Sequence, residues 1–117
     1  MNESTIFKVL ADYNRLRMVV LLLDRELCMT HILIGLGLKQ ANTSRNLKVL
    51  KEAGIVELRQ NKNNRYYRIN EQCLNEYADI FTYLRKLKEN ENFIEDTNRM
   101  LAVEKCGCKG VCECKLI

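Results

Sequence analysis

The 117-residue sequence contains no proline, only one histidine and no apolar run near the roughly 18 residues of a membrane-spanning helix. The absence of proline favours long uninterrupted helices, because proline removes a backbone donor and breaks a helix interior. The N-terminus, MNESTIFKVL, lacks the cationic start and apolar core of a secretory signal, so we expect a cytoplasmic protein without membrane contact. The sequence also lacks a recognisable nucleophile–base pair, a phosphate-binding loop and paired catalytic carboxylates, which disfavours an enzyme.

The composition is that of one small, mildly basic domain. Hydrophobic residues make up 47% of the chain and the formal net charge is +4. A chain of this size buries only about two-thirds of its unfolded surface, so forming a homodimer would add useful burial. The dimer would carry twice that charge, which suits a polyanionic partner. Because cytoplasmic thiols stay reduced, the six cysteines are expected to be ligands, sensors or small buried residues rather than disulfides.

Hydrophobic periodicity predicts four helices in the first half of the chain. They cover residues 4–11, 15–23, 31–38 and 40–53, with Asn14 and Thr30 as caps of the second and third. Two strands, 55–60 and 65–70, follow around the turn NKNN, and a long helix runs from 71 to about 100. That last helix carries an apolar stripe that predicts a partner helix: Leu74, Tyr77, Phe81, Leu84 and Leu87. The expected fold class is α+β, mainly α, with about five helices and a two-stranded β-wing.

The helix at 40–53 has two contrasting faces. Thr43, Leu47 and Leu50 share one face and are expected to point inward. The opposite face is short, polar and cationic: Ala41, Ser44, Arg45 and Lys48, with Asn42 beside them. The hairpin that follows is also basic: Arg59, Lys62, Arg65 and Arg68. On a lone helix this polar face would be read as merely solvated, but two helices, a glycine-bearing turn and a basic hairpin together predict a winged helix-turn-helix that binds double-stranded DNA.

The segments ELC, LKVLKEAGIV and RYYRI give the sequence a resemblance to the ArsR/SmtB family of metal-responsive transcriptional repressors, over about residues 4–100. The resemblance implies that 40–53 is the recognition helix of a homodimeric repressor. It also implies that the DNA-facing positions are Gln40, Asn42, Thr43, Ser44 and Arg45. To these we add Lys48 from the polar face of the helix and Arg65 from the wing. Thr43 is the weakest of these, because the helical wheel turns it inward.

Two positions depart from the family pattern. Lys39-Gln40 replaces the usual Ser-Gln, so a cation that could touch phosphate replaces a capping hydroxyl. Ser44-Arg45-Asn46 replaces the frequent Ser-Arg-His, which changes the groups that can read bases.

The C-terminal segment 101–117 is predicted to be a cysteine-rich metal-binding tail on a DNA-binding and dimerisation domain at 1–100. Its four thiols follow a C-x-C-x3-C-x-C pattern: Cys106, Cys108, Cys112 and Cys114. Four sulfurs suit a tetrahedral soft-metal site, and three suit trigonal arsenite. Redox sensing and an inert tail are the alternatives.

The other candidate ligands are weaker. Arsenite sensors of this family often carry Cys-x-Cys-x2-Cys where this chain has Cys28, Thr30 and Leu33, so that site is incomplete here. Cys28 could join the tail, although a small buried residue is the favoured interpretation, and Cys73 is interpreted as core. The family's zinc site on the last helix requires a histidine there, whereas His31 lies on the third helix, and we therefore exclude that site.

The resulting hypothesis is a repressor that a thiophilic ion releases from operator DNA. The resemblance favours arsenite as the ion, with cadmium, lead, zinc and copper(I) open. A redox- or sulfide-sensing repressor of the same fold is the first alternative, and a metal-buffering module is the second.

Overall fold

The structure, a computed structural model, describes residues 2–61 and 64–102. In these ranges there are seven helices and one three-stranded antiparallel sheet. The elements are α1 Glu3–Leu10, α2 Tyr13–Leu21, β1 Leu27–Cys28, α3 Met29–Leu36, α4 Gln40–Glu52, β2 Val56–Asn61, β3 Asn64–Ile69, α5 Glu71–Glu76, α6 Ala78–Leu87 and α7 Glu91–Leu101. None of the helices in this part of the chain could cross a membrane, because each is too short or too polar. The four tail cysteines lie outside the described residues.

The helix predicted at 71–100 is wrong as a single element, because the chain breaks twice. Tyr77 leaves the helical region, at φ −119° and ψ 40°, between α5 and α6. Asn90 adopts an extended conformation and caps α7 by accepting a hydrogen bond from the amide of Asn92. Much of the predicted partner stripe is therefore core of the same protomer, since Tyr77, Phe81 and Leu84 are buried in it.

The sheet has one strand more than the predicted wing. The two-residue strand β1 pairs with β3, aligning Leu27 with Tyr67, and the strand order is β1-β3-β2. Two residues are too few for a period-2 pattern to be recognised in the sequence. The two long strands β2 and β3 form the predicted hairpin, with Val56 opposite Ile69 at its base.

Two predicted helix caps are also wrong. Asp12, not Asn14, caps α2, because its Oδ1 accepts hydrogen bonds from the amides of Asn14 and Arg15 at 3.0 and 3.2 Å. At α3 the N-cap residue is Cys28 rather than Thr30, and no side-chain hydrogen bond is made there.

The turn between α3 and α4 sets the direction of α4. Gly37 has φ +68°, a left-handed conformation that L side chains rarely adopt. The amides of Gly37 and Leu38 donate to the carbonyls of Ile34 and Leu33 at 3.2 and 3.0 Å, closing a Schellman-type turn. The inner face of α4 then packs on the core through Leu47 and Leu50, leaving the opposite face outward.

Candidate nucleic-acid interface

The outward face of α4 brings most of the predicted DNA contacts together. Its exposed side chains are Gln40, Ala41, Ser44, Arg45 and Lys48, and Asn42 beside them is half-buried. We call these six residues the reading face. They offer amide, hydroxyl, guanidinium and ammonium groups, which are the groups that hydrogen-bond base edges and phosphates in a DNA groove.

Thr43 is not part of this face. It is fully buried, and its Oγ1 donates a hydrogen bond to the carbonyl of Lys39 at 3.0 Å. The prediction that Thr43 contacts DNA is therefore not supported by the geometry, because its hydroxyl is buried and donates to the backbone one turn earlier in the chain. Lys39, at the N-cap position, makes no side-chain cap, and the Thr43 hydroxyl does not replace one, because it donates to a carbonyl instead of accepting from the first amides of α4.

Asn42 is held in place by contacts that the sequence did not reveal. The Nδ2 of Asn46 donates to the carbonyl of Asn42 at 3.1 Å and to its Oδ1 at 2.5 Å. Arg15 of α2 donates to the Oδ1 of Asn46 at 3.5 Å and to the carbonyl of Val9 at 2.7 Å. Oδ1 of Asn42 is thus engaged by Asn46, and Nδ2 is the donor group of the Asn42 side chain. Arg15 and Asn46 are 31 positions apart in sequence, so no local pattern indicates the contact.

The wing carries less available positive charge than the sequence suggests. Arg65 is exposed on β3 and pairs with Gln60 near the end of the hairpin, as a wing contact to DNA requires. Arg59 forms an ion pair with the buried Glu26 and lies 4.8 Å from the ring centroid of Tyr66. Arg68 forms an ion pair with Glu57 at 2.6 Å. Two of the four predicted basic residues therefore stabilise the wing itself, and Lys62 lies outside the described residues.

The cysteines within the described chain are both buried. Sγ of Cys28 lies 3.5 Å from Nδ1 of His31, and burial raises the pKa of the Cys73 thiol, which disfavours the thiolate. Nowhere in residues 2–61 or 64–102 do three or more histidine, cysteine or acidic side chains gather as metal ligands would. Within the described ranges of one protomer no such cluster is present, and the metal prediction depends on the tail.

An apolar groove of about 470 Å³ opens between α1, α6 and the start of α7. Phe7 and Tyr83 flank it and are each 60% exposed. The rest of the lining is almost entirely apolar: Leu10, Ala11, Leu16, Ile80, Leu84, Leu87 and Phe93. Large aromatic rings this exposed beside an apolar groove are typical of a protein–protein interface.

Comparisons with known proteins agree with this geometry. The family model described as "Bacterial regulatory protein, arsR family" matches residues 12–57, from the N-cap of α2 into β2. An arsenical resistance operon repressor from Staphylococcus aureus is 32% identical over 108 residues, covering 92% of this chain and 89% of that protein.

Two solved structures of relatives are similar as well. Rv0081 from Mycobacterium tuberculosis is 31% identical with a TM-score of 0.61, over 73% of this chain and 83% of that one. The homodimeric winged helix-turn-helix DNA-binding domain of Mb0332 from Mycobacterium bovis is 28% identical with a TM-score of 0.61, over 76% and 82% of the two chains. The predicted winged helix-turn-helix class is thereby confirmed.

Proposed function

The chain belongs to the arsR family of bacterial regulatory proteins, and we propose that it is a homodimeric repressor that a thiophilic ion, arsenite in the first place, releases from operator DNA. Its relatives are DNA-binding transcriptional regulators, so the prediction that the chain is not an enzyme is confirmed. It acts on DNA in the cytoplasm and senses the ion there.

The observation that carries the DNA-binding part is the reading face of α4. Its polar and cationic side chains point outward while Leu47 and Leu50 fix the helix to the core. A helix presented in this way fits the major groove of B-DNA, and Arg65 of the adjacent wing reaches toward the backbone or minor groove. In this arrangement Asn42, Ser44 and Arg45 read bases, whereas Gln40, Lys48 and Arg65 position the protein on phosphates.

The homodimer is supported by the apolar groove and by the homodimeric state of the Mycobacterium bovis relative. Burying Phe7 and Tyr83 against the same surface of a second copy removes two exposed aromatic rings from water. Two-fold symmetry then places the two reading faces in successive major grooves, roughly 34 Å apart on a near-palindromic site.

The inducer-binding part rests on the chemistry of the tail. Cys106, Cys108, Cys112 and Cys114 supply four sulfurs within nine residues, and thiolate sulfur is the ligand that soft ions select. Three of them satisfy arsenite, and four satisfy cadmium, lead, zinc or a copper(I) site. The similarity to an arsenical resistance operon repressor favours arsenite among these ions.

The DNA-binding assignment predicts different effects for two substitutions on the reading face. We expect Arg45→Ala to weaken binding by about 1–3 kcal/mol and to relax base preference, because a bidentate base contact is lost. Lys48→Ala should weaken binding to all sequences and reduce the slope of log K against log salt by about 1, because one phosphate contact is lost. Fluorescence anisotropy on a duplex that the wild-type protein selects from a random-sequence library measures both.

The matched control is Lys86→Ala, which removes the same charge from an exposed position on α6. It should leave the salt slope within error of the wild type. If Arg45→Ala and Lys48→Ala bind as Lys86→Ala does, α4 is not the recognition helix.

A further inference from the structure

Asp96 of α7 is a buried carboxylate held by two arginines from different helices. It is 3% exposed. The Nε and Nη2 of Arg17, in α2, donate to Oδ2 and Oδ1 of Asp96 at 2.9 and 2.8 Å, and Nη2 of Arg99, one turn further along α7, donates to Oδ1 at 2.6 Å. The hydrogen bond to Asp96 raises the pKa of Arg17 above its ordinary value, which favours the guanidinium cation at this site.

Both arginines reach beyond the carboxylate to the end of α3. Nη2 of Arg17 donates to the carbonyl of Leu36 at 2.7 Å, and Nε of Arg99 donates to the carbonyl of Gly35 at 2.9 Å. The last carbonyls of a helix have no partner within it, and cations there also complement the helix dipole. These two carbonyls directly precede Gly37, whose turn sets the direction of α4. The corner of the helix-turn-helix is therefore fixed by side chains that Asp96 arranges.

α3 and α7 are closely packed against each other at Gly35. A Cβ atom placed on Gly35 would lie 3.0 Å from Cβ of Met100 and 3.1 Å from the carbonyl oxygen of Asp96. The two helices thus meet nearly backbone to backbone at this point, so a displacement of α7 cannot be absorbed by flexible side chains.

In the sequence, α7 directly precedes the cysteine-rich tail. It ends at Leu101, and the first tail cysteine, Cys106, follows within a few residues. The helix that holds the corner is therefore the one from which the cysteine tail begins.

We propose that Asp96, Arg17 and Arg99 form a positioning element that holds the α3–α4 corner in its DNA-binding orientation and links that orientation to the placement of α7. This inference rests on the proposed function, because it takes α4 as the helix that binds operator DNA. A strain or rotation applied to α7 from the tail weakens the hydrogen bonds to Gly35 and Leu36 and reorients α4. Arg17, Arg99 and Asp96 act through α4 and do not touch DNA themselves.

The test compares Arg99→Ala with the matched control Arg85→Ala. Both side chains are partly exposed, at 44% and 46%, and both form ion pairs, Arg99 with Asp96 and Arg85 with Asp24 of the loop after α2. Both variants should fold, and only Arg99 contacts the corner. We expect the amides of Gly37 and Leu38 to exchange hydrogen about fivefold faster in Arg99→Ala, the change for one lost hydrogen bond, and to be unchanged in Arg85→Ala. This measurement needs neither DNA nor inducer.

The second readout is the affinity of ion-free protein for the selected duplex. We expect Arg99→Ala to bind about fivefold more weakly than the wild type, and Arg85→Ala to bind as the wild type does. The proposal is overturned if Arg99→Ala and Arg85→Ala show the same hydrogen exchange rates at the amides of Gly37 and Leu38, or the same affinity for the duplex. Failure of the proposed function looks different, because the wild-type protein would then select no duplex at all while the exchange difference persists.

Discussion

Replacing both Phe7 and Tyr83 by glutamate will convert the protein to a monomer and weaken its binding to operator DNA by about a hundredfold or more. Both rings are 60% exposed at the rim of the apolar groove, so their loss should not disturb the protomer's own core. In a dimer these two positions would be buried. Glutamate at both positions of each protomer would then place uncompensated charges in an apolar interface. A monomer binds one half-site only and loses the local concentration that the first half-site gives to the second.

Sedimentation equilibrium gives the oligomeric state, and fluorescence anisotropy on the full operator gives the affinity. Ile94→Glu is the matched control, because Ile94 is an exposed apolar residue of α7 that does not line the groove. The control should remain dimeric. A doubly substituted protein that stays dimeric and keeps full affinity would place the dimer interface elsewhere.

Changing Cys106, Cys108, Cys112 and Cys114 to serine will abolish the response to arsenite and preserve operator binding in its absence. Arsenite should weaken operator binding of the wild-type protein by about 5- to 150-fold, the range typical of two linked sites, and should leave operator binding of the four-serine variant unchanged. Serine keeps the size of cysteine but is a poor ligand for a soft ion, and the reading face is untouched. Anisotropy titrations under reductant, with and without arsenite and with cadmium in parallel, measure the response.

Cys28→Ser is the control for this experiment, since Cys28 lies in the described body and has His31 as a neighbour. Retained release in Cys28→Ser would show that sensing does not require Cys28. Release by oxidant without any metal, with a mass shift for a new bond or an added sulfur, would instead favour the redox-sensing alternative. Arsenite-induced release that persists in the four-serine variant would refute the tail as the sensor.

The sequence predicted the parts of the fold that depend on local patterns. The two faces of α4 follow from spacing alone, and Gly37 marks the turn because its left-handed backbone favours glycine. The hairpin follows from two β-rich segments around NKNN, although only the structure shows that Arg59 is engaged by Glu26. That pairing joins residues 33 positions apart, so the charge of the wing was overestimated from sequence.

The C-terminal half was harder to predict because tertiary contacts decide it. The apolar stripe from Leu74 to Leu87 is compatible with one long helix, and the break at Tyr77 has no proline or glycine to announce it. Asn90 was a usable signal, since asparagine is a strong helix N-cap residue. The contact of Asp96 with Arg17 spans 79 positions and has no sequence signature, which is why the link between α7 and the α3–α4 corner was not predicted.

The most direct measurement is the affinity of arsenite for the reduced protein, determined once without DNA and once with the protein saturated by its operator. Because coupling between two sites is reciprocal, operator DNA must weaken arsenite binding by the same factor by which arsenite weakens operator binding. We predict that both factors agree and exceed about fivefold. Equal arsenite affinity in the two states would contradict a repressor that this ion releases from DNA.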